Sequence, residues 1–147
     1  MQQVKDVMTP QAEVASPDET VEEAASTMKT LDIGVLPVCD EEGLVGIVTD
    51  RDLVVRVLAD KRDPKAVRIG EVMTPNIVYC FEDEDVSRAA SLLAEHQIRR
   101  LPVLSRSSRS LVGIVSLGDL AVHEESGRLS GEVLEDVSQP AHPRRAA

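Results

Sequence analysis

Two short segments of the chain place a hydroxyl and a carboxylate three positions apart: Thr49 with Asp52, and Ser116 with Asp119. Each pair lies where an apolar run, typical of a strand, gives way to a segment with helical spacing. The first amide groups of a helix lack backbone partners, so they can bind a phosphate beside the hydroxyl. The carboxylate would repel a phosphate but can accept hydrogen bonds from a ribose diol, while Arg51 supplies positive charge. The pattern is therefore consistent with a nucleotide site at each junction.

The same spacing also has a purely structural interpretation. In a capping box the hydroxyl accepts a hydrogen bond from an amide of the first turn, and the acid accepts one from the amide of the cap residue. Such a box completes the helix start without binding a ligand, and the spacing alone favours it. The repetition of the pattern beside a Pro-Val strand shifts the balance modestly toward a ligand site.

The elements around these junctions are duplicated along the chain. Three segments occur twice and in the same order: Val7–Pro10 and Val72–Pro75, Ile33–Val38 and Ile98–Val103, and Gly46–Leu53 and Gly113–Leu120. The first two pairs are 65 positions apart and the third is 67 apart, so the second copy has a two-residue insertion. The insertion falls at Ser105–Ser110, where a turn is expected, because turns tolerate added residues.

Each copy predicts a strand, an amphipathic helix, two strands and a second helix. In the first copy Thr20 is the expected N-cap of a helix with an apolar face at Val21, Ala24, Ala25, Met28 and Leu31. In the second copy Asp85 is the expected cap, and the apolar face is Val86, Ala89, Ala90 and Leu93. One copy of about 60 residues buries too little apolar surface to be comfortably stable alone. We therefore expect two copies that share a core.

The composition excludes several functional classes. The 147 residues have a net charge of −10 at pH 7 and only 1% aromatic residues, which disfavours binding to nucleic acid or to anionic membranes. No apolar run approaches the roughly 18 residues of a membrane span, and the first residues do not form a secretory signal. We expect a cytoplasmic protein in which Cys39 and Cys80 are buried free thiols. The three histidines have no metal-binding spacing.

These repeated segments resemble the CBS domain, a family named after cystathionine β-synthase. The resemblance covers about Val4 to Glu125 and rests on the Val-Met-Thr-Pro, Gly-x-x-Pro-Val and Gly-Ile-Val-[Thr/Ser]-x-x-Asp-Leu segments, which recur in the same order. The chain is similar to the stand-alone tandem pairs of bacteria, called Bateman modules. The resemblance implies an α/β (α+β) fold of two β-α-β-β-α repeats, packed sheet to sheet with pseudo-two-fold symmetry.

The resemblance also implies a function. Such modules are not enzymes and need no obligatory cofactor; they bind AMP, ADP, ATP or S-adenosylmethionine in clefts between the repeats and usually form homodimers. Because no effector domain is recognisable in this chain, the signal is expected to pass to a partner protein of unknown identity. The expected division is residues 4–62 for the first repeat, 63–71 for a linker, 72–125 for the second repeat and 126–147 for a partly disordered tail.

The family's ligand contacts carry over to matching positions of this chain. The candidate binding residues are Val14, Ser16, Gly34, Val35, Leu36, Pro37, Thr49, Arg51, Asp52, Arg99, Arg100, Leu101, Pro102, Ser116 and Asp119. Val35 and Leu36 also fit plain core packing. Arg99 departs from the family pattern because it replaces the glycine of the Gly-x-x-Pro segment. With Arg100, it either binds phosphate or is the solvated end of the preceding helix.

Two other functions remain open at this point. One is a structural or protein-interaction dimer whose clefts are filled by its own side chains, and Arg99 favours this for the second repeat. The other is a redox-responsive or metal-responsive module that uses Cys39, Cys80 and the histidines.

Overall fold

The fold is taken from a computed structural model that describes residues 2–10, 13–75 and 77–123. The helix that Leu129, Val133, Leu134 and Val137 suggest, and the C-terminal tail with His142, lie outside the described residues. No helix among the described residues is both long enough and apolar enough to cross a membrane.

The described chain contains six α-helices and seven strands. The helices are α1 Val4–Val7, α2 Val21–Leu31, α3 Asp50–Leu53, α4 Ile69–Val72, α5 Val86–His96 and α6 Leu117–His123. The strands are β1 Thr9–Pro10, β2 Val35–Asp40, β3 Gly43–Thr49, β4 Thr74–Pro75, β5 Cys80–Phe81, β6 Arg100–Leu104 and β7 Leu111–Ser116. A π-helical turn, Val54–Leu58, continues α3. The predicted mixed α/β class is confirmed, although the first strand of the first copy is a single bridge between Ala15 and Val38.

The two long helices begin and end as their sequences predict. The hydroxyl of Thr20 accepts from the amide of Glu23 at 3.2 Å, and the Glu23 carboxylate accepts from the Thr20 amide at 3.4 Å. Asp85 caps α5 by accepting from the amide of Ser87. The buried face of α5 contains every predicted residue, whereas α2 buries only Val21, Ala24 and Met28 of its predicted face. Ala25 and Leu31 are exposed, Ala25 at the side of this stripe and Leu31 at the last residue of the helix.

The chain forms two compact units that do not coincide with the sequence repeats. One unit joins the described residues up to Pro10 with those from Val78 to His123, and the described residues in between form the other. The first of these units has the sheet order β1-β7-β6-β5, and the other has the order β2-β3-β4. Each Thr-Pro strand therefore completes the sheet of the other repeat: β1 pairs with β7, and β4 pairs with β3.

Close backbone contact explains why Gly-Ile-Val and Met-Thr-Pro recur together. A Cβ on Gly46 would lie 2.7 Å from the sulfur of Met73 and 2.8 Å from the carbonyl oxygen of Thr74. A Cβ on Gly113 would lie 2.6 Å from the carbonyl oxygen of Thr9. Only glycine lets the Met-Thr-Pro segment approach the strand this closely.

The predicted insertion lies in the connection between β6 and β7. In the first repeat β2 and β3 meet in a tight turn at Gly43, which has a φ of 122°. In the second repeat the longer connection is held by Arg106, which binds the Asp83 carboxylate through Nε and Nη2 at 3.0–3.1 Å. This pairing holds the pKa of Asp83 below its ordinary value. The guanidinium of Arg106 also stacks 4.3 Å from the centre of the Phe81 ring.

Candidate functional site

At the first junction, Thr49 ends β3 and caps α3. Its hydroxyl accepts from the amide of Asp52 at 3.2 Å, and its own amide donates to Oδ2 of Asp52 at 2.9 Å. The capping box is therefore formed. The amide of Asp50 donates to the carbonyl of Gly34 at 3.0 Å, and the amide of Arg51 donates to the Asp50 carboxylate at 2.9 Å.

These bonds correct the expectation that amides of this helix start are free for a phosphate. The amides of Asp50, Arg51 and Asp52 are all paired with atoms of the protein. The capping box that the sequence pattern suggested accounts for the Asp52 amide, but the pattern did not predict that Gly34 and the Asp50 side chain accept from the other two amides. A phosphate at this junction would have to displace a protein acceptor.

The second junction repeats the box with different neighbours. The hydroxyl of Ser116 accepts from the amide of Asp119 at 3.0 Å, and the Ser116 amide donates to Oδ2 of Asp119 at 2.8 Å. The amide of Leu117 donates to the carbonyl of Arg99 at 2.9 Å. Leu117 stands in the place of Asp50 and Gly118 in the place of Arg51. Among the residues that the structure describes, no carboxylate accepts from the amide of Gly118.

The capping box leaves part of each carboxylate available. Oδ2 of Asp52 accepts the Thr49 amide, and Oδ1 lies 3.8 Å from Nε of Arg56. A carboxylate has about four acceptor positions, so one amide contact does not exhaust it. The side chain of Asp52 is 15% exposed, and Arg56 also donates to the carbonyls of Val72 and Met73. Capping and ligand binding are therefore compatible at Asp52, and the box fixes the orientation of Oδ1, which also pairs with Arg56.

The other candidate residues of the first repeat lie along the same sheet. Val35 pairs with Thr49 across β2 and β3. The side chain of Leu36 belongs to the hydrophobic core and Pro37 is buried, so only their backbone groups can contact a ligand. Val14 and Ser16 flank the Ala15 bridge; Val14 is exposed, and the Ser16 hydroxyl accepts from the amide of Asp18.

The second repeat places its candidates in the same way. Arg100 begins β6 and pairs with Ser116, while Leu101 and Pro102 are buried. Arg99 precedes the strand, and its side chain and that of Arg100 are exposed. Neither arginine side chain forms a hydrogen bond or an ion pair within the part of the chain that the structure describes.

Two residues near these positions were missed by the sequence reasoning. Asp50 lies against Gly34: a Cβ on that glycine would be 2.9 Å from Oδ2 of Asp50. Tyr79 occupies the position equivalent to Val14, and its hydroxyl accepts from Arg109 at 3.2 Å. The 65-residue offset identifies Tyr79 once Val14 is chosen, so this signal was present in the sequence.

The two cysteines are free thiols of low reactivity. Burial, with a smaller contribution from Glu84, raises the pKa of Cys80 to about 12. Burial and Asp40 raise the pKa of the half-buried Cys39. Within the described ranges there is no group of three His, Cys, Asp or Glu residues that could hold a metal ion.

The raised pKa of Cys80 predicts a loss of stability at alkaline pH. Above the ordinary thiol pKa of 9.0 the unfolded chain loses a proton that folded Cys80 keeps until about pH 12. The free energy of unfolding should therefore fall through this window, by at most about 1.4 kcal/mol per pH unit for this group. Urea denaturation from pH 8 to 11 measures this, with Cys80→Val as the control that removes the thiol. An identical pH dependence in both proteins would contradict the assignment.

Comparison with known proteins identifies the family. The family model described as CBS domain matches residues 4–59 and 69–126. The chain is 42% identical over 138 residues to the CBS domain-containing protein YhcV of Bacillus subtilis (strain 168), covering 94% of this chain and 96% of that protein. The chain therefore belongs to the CBS domain family, as its repeated segments predicted.

Two solved structures of similar proteins contain adenosine-based ligands. The crystal structure of CBSX2 in complex with AMP is 31% identical, with a TM-score of 0.70, and the match covers 83% of this chain and 95% of that one. The CBS domain pair of protein MJ0100 was crystallised with 5′-methylthioadenosine and S-adenosyl-L-methionine. It is 32% identical, with a TM-score of 0.72, and the match covers 90% of this chain and 98% of that one.

Proposed function

We propose that this chain is a regulatory module that binds an adenosine-containing ligand, AMP, ADP, ATP or S-adenosylmethionine, and signals its bound state to a partner protein in the cytoplasm. The observation that carries the proposal is the pair of related structures that hold AMP, 5′-methylthioadenosine and S-adenosylmethionine and match more than four-fifths of this chain. The repeated junctions of this chain supply the groups that such ligands require.

Each junction offers complementary contacts to an adenosine. The carboxylate oxygen of Asp52 or Asp119 that does not cap the helix, Oδ1, accepts hydrogen bonds from the ribose hydroxyls. The backbone at the start of β2 or β6 presents polar groups to the edge of the adenine. At the first junction the small or apolar residues Gly34 and Val35 contact its face. The backbone amides of Thr49 and Ser116 donate to the two carboxylates and hold them in place.

The proposed role is regulatory and not catalytic. A bound ligand changes the signal to the partner protein only to the extent that it binds two conformations of the chain with different affinity. The module needs no other cofactor, because the adenosine ligand itself is the signal.

Calorimetric titration of the purified chain with AMP, ADP, ATP and S-adenosylmethionine tests this proposal. We expect at least one ligand to bind with micromolar affinity and to raise the melting temperature, because a ligand that binds only the folded state stabilises it. A control titration with GMP should give no such response. If none of the four ligands gives a binding heat or a shift in melting temperature up to high micromolar concentrations, the regulatory binding role is wrong. A structural dimer then becomes the better account.

We also propose that the chain forms a homodimer through the helix that follows the first junction. Val54, Val55 and Leu58 are large apolar residues on this segment, and Leu58 is 72% exposed. An apolar face of this kind is stabilised when a second copy covers it.

Light scattering after gel filtration tests the dimer. Leu58→Glu should convert the dimer into a monomer without loss of the folded state, because Leu58 contributes little to the core. Leu31→Glu is the matched control, since Leu31 is also an exposed leucine near a helix end. A monomeric wild-type chain, or a Leu58→Glu variant that remains dimeric, would contradict this interface.

A further inference from the structure

Arg56 lies between the carboxylate of the first junction and the segment that leads into β4. Its Nε lies 3.8 Å from Oδ1 of Asp52, one helical turn earlier, and its Nη1 donates to the carbonyls of Val72 and Met73 at 2.8 and 3.2 Å. These carbonyls lie at the C-terminal end of α4, where a helix has no amide partners of its own for them. One guanidinium group therefore contacts both the proposed ribose acceptor and the end of α4.

The contacts at the two ends of the Arg56 guanidinium differ in strength. The carbonyls are within hydrogen-bond distance, whereas the contact with Asp52 is longer than a hydrogen bond, and the Arg56 side chain is 47% exposed. An exposed ion pair of this kind contributes little free energy. A ribose hydroxyl that donates to Oδ1 of Asp52 can therefore replace the arginine there, and the guanidinium group then binds only the carbonyls.

The segment that accepts these hydrogen bonds is closely packed. Met73 and Thr74 lie against Gly46 and leave no room there for a Cβ, and β4, which follows α4 directly, pairs with β3. Arg56 and this segment belong to the same compact unit. A change in the contacts of Arg56 therefore acts on packed backbone and not on a loose loop.

The second repeat lacks this arginine. The 67-residue offset that relates Asp52 to Asp119 places His123 at the position of Arg56. A guanidinium group has five donors in a fixed fork, whereas an imidazole has at most two, so a histidine cannot donate to a carboxylate and two carbonyls at once. The connection through an arginine is therefore specific to the first junction.

We propose that Arg56 is a positioning residue that transmits ligand occupancy from the first junction to residues 72–74. Without a ligand, its guanidinium group is shared between Oδ1 of Asp52 and the two carbonyls. A ribose that binds Oδ1 releases the guanidinium group to the carbonyls, and the end of α4 becomes more rigid. This inference rests on the proposed function, because it requires an adenosine ligand at Asp52.

Hydrogen–deuterium exchange of the whole chain, with and without saturating AMP or S-adenosylmethionine, tests this role. In the wild type we expect the ligand to slow exchange in peptides covering residues 49–53 and also in peptides covering 69–75. Arg56→Gln should abolish the protection at 69–75 and keep it at 49–53. The affinity should change by no more than about fivefold, the effect of losing one exposed ion pair. A residue that only stabilises the fold would change exchange equally with and without the ligand.

Arg62→Gln is the matched control. Arg62 pairs with Glu71 of α4 at 2.9 Å, so this variant removes the same charge beside the same helix without a contact to Asp52. Its ligand-induced protection at 69–75 should equal that of the wild type. If Arg56→Gln does not fold, Arg56→Lys gives the same test, because a single ammonium group lacks the fork that contacts both ends.

Two results would overturn the inference while the proposed function stands. One is ligand-induced protection at residues 69–75 that persists in the Arg56 variant, and the other is a wild type that binds a ligand without protection at 69–75. If none of AMP, ADP, ATP and S-adenosylmethionine binds the wild type, both the inference and the proposed function are wrong.

Discussion

Replacing Gly46 or Gly113 by alanine is expected to lower the free energy of unfolding by about 1–3 kcal/mol each, the usual cost of an added methyl group in a filled site. The new methyl group would lie within 2.8 Å of a backbone carbonyl oxygen, Thr74 in one case and Thr9 in the other. A backbone atom held in a sheet cannot turn away as a flexible side chain can. Because the two glycines lie in different sheets, the double variant should lose about the sum of the two effects.

Chemical denaturation of the single and double variants measures this effect. Gly118→Ala is the matched control, because its Cβ would meet only the hydroxyl of Ser116 at 3.6 Å, an ordinary contact. In a helix this exchange should be neutral or stabilising by about 0.5–1 kcal/mol. Equal stability for the wild type and the Gly46 and Gly113 variants would show that the Thr-Pro strands do not lie against the glycines.

Loss of the carboxylate charge at Asp52 and Asp119 is expected to have the largest effect on ligand binding. Asparagine retains an oxygen that can accept the amide of Thr49 or Ser116, so the helix start remains capped. Its other atom is an NH₂ group that cannot accept from a ribose hydroxyl. We expect the affinity of the affected junction to fall by about 10–100-fold, since hydrogen bonds to charged groups contribute roughly 1.5–3 kcal/mol.

Glu23→Gln is the matched control for these variants. Glu23 is the acid of the capping box of α2, so the substitution makes the same chemical change in a box that is not part of either junction. The three variants should have similar, small changes in melting temperature, and only Asp52→Asn and Asp119→Asn should lose affinity. If all three retain the affinity of the wild type, the carboxylates at the junctions serve only as caps.

The long helices could be predicted from the sequence because their signals are local. The apolar spacing of α5 and the caps at Thr20 and Asp85 depend on residues within a few positions of each other. The duplication likewise predicted the equivalent junctions and the longer turn at Ser105–Ser110.

The exchange of the Thr-Pro strands could not be predicted in this way. A strand of two residues, such as Thr9–Pro10, has no periodicity, and its pairing with Ile114 and Gly113 joins positions more than a hundred residues apart. The same limit applies to Asp50. Its carboxylate fills the space beside Gly34 only because β2 and β3 bring the two residues together, and spacing along the chain does not show this.

Hydrogen–deuterium exchange of the whole chain, with and without saturating ligand, tests most directly that the repeated junctions bind adenosine. We expect a bound adenosine ligand to slow exchange in peptides covering residues 33–37 and 49–53, or in peptides covering 98–102 and 116–120. Protection confined to other segments, or unchanged exchange at both junctions under saturating ligand, would contradict the account.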